Sequence, residues 1–436
     1  MRRETVRRAV AVLRHPVAQN AMALSWVQLA TFVLPLVTLP YLARMLGPHA
    51  LGVLVFAQAF SGFVYLLSEY GFGLSSGRDI ATRRGEGRGV DDIVAAVQGA
   101  KLVLIAVALV LGAAAVVLVP TFRRAPEYLV LAVADAIALG ISPLWYFRGL
   151  ERLRVAAALN LLARLVATVG VLLLVRARGE GWVVLGISAV TDLAASVGCL
   201  WLMYRDVRLL RPTWEGARRA LGQGWHLFLY NASLVLYTTA NAFVLGLLAP
   251  AAQVAFFGGA ERMSRAATRM VGPVSEALFP RVTYLLAQGA RERARFVAGR
   301  SLVLLTGLGL LAGAGLAVLA PWIVSLVLGE GYGAAVPVLR VLALLIPLIA
   351  ASNVLGIQWM IPLGFDRQFT RVILIAGPLN VAMLGTLVPL LQALGAALAV
   401  VITEAFVVAG LAFSLFTRRE LPLAIHGSRR ERATEA

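Results

Sequence analysis

The stretch RDVRLLRPTWEGARR, Arg205 to Arg219, decides how this chain is laid out. It is the most polar internal segment of an otherwise apolar sequence, and six long apolar runs lie on each side of it. Those before it span 20–43, 50–73, 93–119, 127–147, 154–175 and 181–204. Those after it span 224–248, 253–280, 299–328, 335–361, 369–391 and 394–417. Each is long enough to cross a hydrocarbon layer of roughly 30 Å as a helix. Six is even, so both halves enter the membrane in the same direction, and any repeat between them is parallel. A short echo supports one. RMLGPHALGVLVFAQAF (Arg44–Phe60) and GLLAPAAQVAFFGGAER (Gly246–Arg262) share a helix end, a proline and a new helix, with Pro48 matching Pro250. The pattern predicts an all-α integral membrane protein of about twelve transmembrane helices. Residues 1–19 form an amphipathic lead-in, 20–204 an N-terminal lobe, 205–223 a linker, 224–417 a C-terminal lobe and 418–436 a tail.

Composition agrees. Of 436 residues, 60% are apolar and 14% charged, and the mean hydropathy is +0.83. A soluble chain of this length needs far more polar surface. The net charge of +18 raises the question of nucleic acid, but the basic residues are placed for another reason. Of the 40, 29 fall on segments that share a side with the N-terminus. The opposite loops hold only Arg44, Arg123, Arg124, Arg176 and Arg178. Such a bias puts both termini in the cytoplasm and leaves no charge that calls for nucleic acid. Met1 to His15 is basic and weakly apolar like a signal peptide, yet no small-residue cleavage site follows, so it reads as an uncleaved lead-in. Cys199 is the single cysteine and lies inside a span, which rules out an internal disulfide.

The loops Gly47–Ala50, Pro120–Glu127 and Gly329–Ala334 are too short to fold into a water-side domain. No Walker loop and no His pair at metal spacing occurs, and His15, His49, His226 and His426 are scattered. No catalytic residue, metal or cofactor is therefore expected, and transport or flipping remains.

Ionisable groups at bilayer depth cost roughly 2.5–3.5 kcal/mol each on insertion scales, so each calls for a reason. The basic ones are Lys101, Arg164, Arg262, Arg265, Arg269 and Arg340; the acidic ones are Glu69, Asp135, Asp192, Glu261, Glu276 and Glu404. Arg262, Arg265, Arg269 and Glu276 share one face of the eighth span, with Arg262 and Arg265 roughly 17–21 Å along it, near the midplane. Guanidinium groups grip phosphate oxygens through paired hydrogen bonds, so this face suits a phosphate or pyrophosphate. Ion pairing within the span, Glu261 with Arg265, is the plainer reading. Lys101 and Arg164 are further cavity candidates, as are Gln58 on the second span and Asn241 on the seventh. The seventh span also carries Tyr230, Asn231, Tyr237, Thr238 and Thr239, groups that hold sugar rings or bond neighbouring helices. Asp135 and Asp192 read as partners for the bases or as proton-coupling carboxylates, with Glu404 a third coupling candidate. Gln28, Thr31, Pro35, Thr38 and Pro40 mark the first span as a bent helix, fixed or moving.

Four stretches carry a family resemblance. They are LPYLARMLGPHALGVLVFAQAFSGFVYLLSEYGFGLSSGRDIA (Leu39–Ala81), PLWYFRGLERLRVAAALNLLARL (Pro143–Leu165), FFGGAERMSRAATRMVGPVSEALFPRV (Phe256–Val282) and GYGAAVPVLRVLALLIPLIAASNVLGIQWMIPLGFDRQF (Gly331–Phe369). In this order they resemble the Wzx-type polysaccharide flippases, the exporters of O-antigen and capsule units. The resemblance implies two six-helix lobes forming a V around a central cavity, the fold of the multidrug/oligosaccharidyl-lipid/polysaccharide exporters. It also implies a substrate, an oligosaccharide on undecaprenyl pyrophosphate, moved between leaflets by alternating access while its lipid stays in the bilayer. A monomer among membrane lipids is implied, working beside a polysaccharide polymerase and a chain-length regulator. Related lipid-precursor flippases use a cationic central cavity, some with arginines on spans one and two, where this chain has only Arg44 near an end. The alternatives are a multidrug exporter of the same fold, a lipid-II-type flippase and a membrane polysaccharide polymerase.

Overall fold

The computed structural model describes residues 16–422, with the side chains of 33–269 and 278–422. The lead-in before Pro16, the tail beyond Pro422 and the side chains of Gln28, Thr31 and Glu276 lie outside the described residues. Among the described residues every regular element is helical.

The first helix, α1 (Pro16–Glu69), has 54 residues. Straight, it would reach about 80 Å, far beyond one hydrocarbon layer. Gly47, at φ 72° and ψ 173°, folds it into two legs. Only glycine takes that conformation cheaply, and Pro48 starts the second leg where its missing N–H costs nothing. The first half continues with α2 (Phe72–Gly85), α3 (Asp91–Leu118), α4 (Pro120–Arg124), α5 (Pro126–Gly140), α6 (Leu144–Gly149), α7 (Leu153–Leu174) and α8 (Gly181–Asp206). The second half opens with α9 (Trp214–Thr238) and α10 (Ala240–Leu248), which meet at 54°. Then come α11 (Ala251–Ala287), α12 (Arg291–Val327), α13 (Ala335–Leu342), α14 (Leu345–Asn353), a π-helical turn (Val354–Met360) and α15 (Asp366–Thr417). Gln392, at φ 52°, folds α15 back on itself. Thr403 consequently donates to Asn380 Oδ1 at 3.3 Å, although 23 residues of straight helix would part them by about 34 Å.

Among the described residues, eight stretches are long and apolar enough to cross a membrane. Two of them, those containing α1 and α15, are double, and the bent pair α9–α10 adds another. The arginine-bearing α11, at 37 residues, is long enough to make a further pass. Counted in this way, the described residues provide for twelve passes. Large apolar side chains such as Leu102, Val110, Leu118, Leu311, Val318 and Phe413 stand exposed around the outside, as a lipid-facing surface requires.

Loops segregate by charge. Gly47, Arg178 and Gly329 line one depression of about 980 Å³ on the arginine-poor face. On the opposite face, ion pairs join the arginine-rich segments. Arg83 meets Asp92 at 2.5 Å, Arg152 meets Asp206 at 3.3 Å, and Glu420 takes both Arg291 at 2.5 Å and Arg295 at 2.9 Å.

The core shows why the shape is a V. One cluster, toward the arginine-poor face, draws on both halves: Leu39, Phe56, Phe122 and Leu185 pack with Val254, Phe257, Leu328 and Tyr332. Phe56 stacks on Phe122 at 4.8 Å and on Phe243 at 5.2 Å, tying the halves together, with each aromatic pair contributing about 0.5–1.5 kcal/mol beyond its buried area. Toward the arginine-rich face there are two separate clusters. One, around Phe72, Trp145 and Met203, belongs mainly to the first half; the other, around Val282, Trp359 and Leu411, belongs to the second. The lobes thus join at one end and part at the other. The start of α9 packs on the first half, with Phe228 stacked on Tyr70 at 4.5 Å. Farther along, Asn380 of α15 donates to Leu236 O at 3.1 Å. The seventh span therefore serves both lobes.

Candidate functional site

Partway along their lengths, α1, α7, α8 and α11 line a cavity of about 370 Å³. Thr38 comes from the first leg of α1 and Gln58 from the second. Arg164 and Thr168 are one turn apart on α7, while Ser188, Thr191 and Asp192 share one face of α8. Arg262 reaches in from α11, eleven residues and so roughly 17 Å from that helix's start. Its Nη2 donates to Gln58 Oε1 at 2.6 Å, a bond between the two halves.

The electrostatics favour an anion. Among the described residues, neither Arg164 nor Arg262 forms an ion pair within 4 Å. Each guanidinium is half-buried among an amide oxygen and hydroxyls, with Asp192 the one carboxylate lining the cavity, and has bonding capacity to spare. The hydroxyls are kept from collapsing onto it by their own helices. Thr168 donates to Arg164 O at 2.9 Å, and Thr191 donates to Ile187 O at 2.9 Å. Their oxygens remain free to accept from a sugar.

Of the residues singled out in the sequence, the structure brings Gln58, Arg164, Asp192 and Arg262 to one cavity. Asp135 stands against Asp192 and accepts from Ser61 Oγ at 3.0 Å. The others lie elsewhere. Lys101 is buried, and its Nζ donates to Gly140 O at 2.6 Å and Ser142 O at 2.9 Å, clasping the end of α5. Asn241 is buried in a chain of hydrogen bonds, accepting from Asn380 at 2.8 Å. Glu404 is buried in the second half, where Ser352 Oγ bonds it at 2.6 Å. Arg265 is paired with Glu261 at 2.7 Å, and its Nη2 also donates to Thr238 O at 2.8 Å, beside the bend of the seventh span. Arg269 is exposed one turn farther along α11. Sequence reading passed over Thr168, Ser188 and Thr191. Their signal was present, since Arg164 and Thr168 are spaced by four, and Ser188, Thr191 and Asp192 by three and one.

The family described as Polysaccharide biosynthesis protein matches residues 17–286. The curated "Putative O-antigen transporter" of Escherichia coli (strain K12) is 28% identical over 397 residues, covering 89% of this chain and 94% of that protein. Among solved structures, "Lipid II flippase MurJ, inward closed conformation" superimposes with a TM-score of 0.66 at 15% identity, over 91% of this chain and 88% of that one. An inward-facing multidrug resistance MATE family transporter of the MOP superfamily gives a TM-score of 0.62 at 16% identity, over 92% and 99%. At such identities the two structures establish a shared fold.

Proposed function

The chain belongs to the polysaccharide biosynthesis protein family, and from that premise we propose that it is a flippase for oligosaccharide units carried on a polyprenyl pyrophosphate such as undecaprenyl pyrophosphate. The observation that carries this reading is the meeting of Arg164 and Arg262 in one intramembrane cavity, neither in an ion pair within 4 Å among the described residues, with hydroxyls, an amide and the single carboxylate of Asp192 around them. The O-antigen transporter relative supports the substrate class.

In this reading the arginine-rich face is cytoplasmic, so the V is open to the inner leaflet of the inner membrane and both termini lie inside. The headgroup enters between the lobes while its lipid tail stays in the bilayer. Pyrophosphate oxygens replace Gln58 on Arg262 and engage Arg164, each guanidinium offering paired donors. Thr38, Thr168, Ser188 and Thr191 meet the sugars nearest the phosphates. A cavity of about 370 Å³ is at the smaller end of ligand pockets, so recognition rests on the pyrophosphate and its first sugars. Arg265 and Arg269 continue the cationic face toward the entry. The lobes then part at the arginine-poor end, and the head leaves chemically unchanged. A multidrug exporter of organic cations would want an acidic wall; this one is cationic.

The test is restoration of surface polysaccharide in a flippase-null bacterium that makes a matching repeat unit. Wild type restores export. Arg164→Ala combined with Arg262→Ala abolishes it while the protein still accumulates in the membrane, since each lost charged hydrogen bond costs about 1.5–3 kcal/mol. Lysine at either position rescues only in part, lacking the planar fork. Wild-type export from the double alanine variant refutes the anion site.

A further inference from the structure

Behind the cavity wall lies a second polar group that gripping an anion does not require. Asp192 lines the cavity on α8, and its carboxyl stands beside that of Asp135 on α5, the two helices packing together. Asp135 is only 9% exposed. Its Oδ2 accepts from Ser61 Oγ, whereas its Oδ1 has no donor among the described residues. Two ionised carboxylates accept only and cannot bond each other, and like charges so close in a low-dielectric site oppose joint ionisation. A single proton removes both difficulties, because it gives the orphaned oxygen its bond and halves the charge. The titratable and charged groups that face the pair are few. Arg164 on α7 is within electrostatic reach of both carboxyls. Tyr65 on the second leg of α1 lies within reach of Arg164, and Arg262 reaches in from α11 across the cavity.

We propose that Asp135 and Asp192 form a shared proton site, linked to the anion site through Arg164. This rests on the reading of the cavity as a pyrophosphate site. Arg164 serves both: unliganded, it is a cation within electrostatic reach of the pair; with an anion bound, its guanidinium is engaged on the cavity side. Losing that cation and gaining a neighbouring negative charge both strengthen the pair's hold on a proton. Binding of a pyrophosphate therefore takes up a proton, and by reciprocity a protonated pair binds the anion more tightly. The sign follows. Proton affinity is higher in the complex, so binding is strongest at low pH. It weakens as pH rises through the range where the free pair has lost its proton and the liganded pair still holds one, by about tenfold per pH unit for one proton.

The experiment is calorimetric titration of the purified protein with a short-chain polyprenyl pyrophosphoryl-N-acetylglucosamine. This probe is a pyrophosphate diester and has no proton of its own to exchange near neutrality. Titration in two buffers of different ionisation enthalpy counts the protons. The expected result is uptake of close to one proton by wild type and of almost none by Asp135→Asn, which does not line the cavity and keeps a donor for Asp192. A purely structural role for the pair would leave the proton count alone. Binding by wild type with no proton uptake overturns the proton site and leaves the anion site standing. An unchanged count in Asp135→Asn also overturns it, and moves the proton to another group such as Glu404. Absence of any binding by wild type overturns the pyrophosphate reading and this proposal with it.

Discussion

Gly52→Ala should loosen the closed end of the V. Gly52 lies one turn into the second leg of α1, and a Cβ built there would fall 1.7 Å from Ala251 O and 2.4 Å from Ala251 C, at the start of α11. Both are backbone atoms, so no side chain can swing aside. Bringing the oxygen out to 3.0 Å, the shortest distance that real Cβ atoms reach, requires the two helices to separate locally by at least about 1.3 Å. Overpacking of this kind costs roughly 1–3 kcal/mol. The cost falls only on states in which the lobes touch at this end. The better helix propensity of alanine, worth about 0.5–1 kcal/mol, is gained in open and closed states alike and cancels. The equilibrium should therefore shift roughly 5- to 150-fold toward the state open at the arginine-poor face. Val55, which is 6% exposed and packs against Gly258, is a suitable reporter. With Cys199 replaced by alanine and Val55 by cysteine, an impermeant maleimide applied from the arginine-poor side should react faster by that factor in the Gly52→Ala background. Gly307→Ala on α12 is the control, since its Cβ would meet nothing within 4 Å, and its labelling should not change. Equal labelling of Gly52→Ala and its parent, at equal membrane abundance, would refute the argument that this backbone contact holds the lobes closed.

Two further tests separate folding residues from transport residues. Lys101→Met leaves Gly140 O and Ser142 O without their donor, at about 1–3 kcal/mol for each orphaned carbonyl; the thermal midpoint of the purified protein should drop by several degrees with probe affinity preserved. Unchanged stability with lost affinity would instead place Lys101 in transport. Asn380→Leu removes the donor to Leu236 O and Asn241 Oδ1, worth about 0.6–1.7 kcal/mol per bond in a membrane interior. Amide exchange across Thr239–Leu248 should accelerate, and an unaltered exchange pattern would show that the bend of the seventh span does not depend on this network.

Much of the architecture was legible in the chain itself, because the bilayer imposes a one-dimensional rule. A backbone in hydrocarbon must satisfy its own hydrogen bonds, so runs of the right length become helices, and arginine placement divides the loops between faces. The apolar runs read from the sequence fall on helices, even where Gly47 and Gln392 merge two runs into one continuous helix. Family membership was also legible, in four ordered stretches.

The site was legible only in parts. Arg262 stood out by its depth, and its neighbours Arg265 and Arg269 by their shared face. Helical periodicity says which residues share a face and nothing about what that face meets. The structure sends Arg265 to Glu261 and Thr238 O, and sets Arg262 beside Gln58, 204 residues away in the chain. Lys101 and Arg164 look alike in sequence, each a lone base in an apolar helix, yet one clasps the end of α5 and the other lines a cavity. Asp135 and Asp192 meet only because α5 and α8 pack together. The sequence by itself determined that the chain is a series of long apolar helices and that unusual charge lies along them, since those follow from length and local composition. Only the tertiary structure decided which charges are partnered and which face a cavity, because a partner is chosen by distance in space, and helix packing rather than chain order sets that distance.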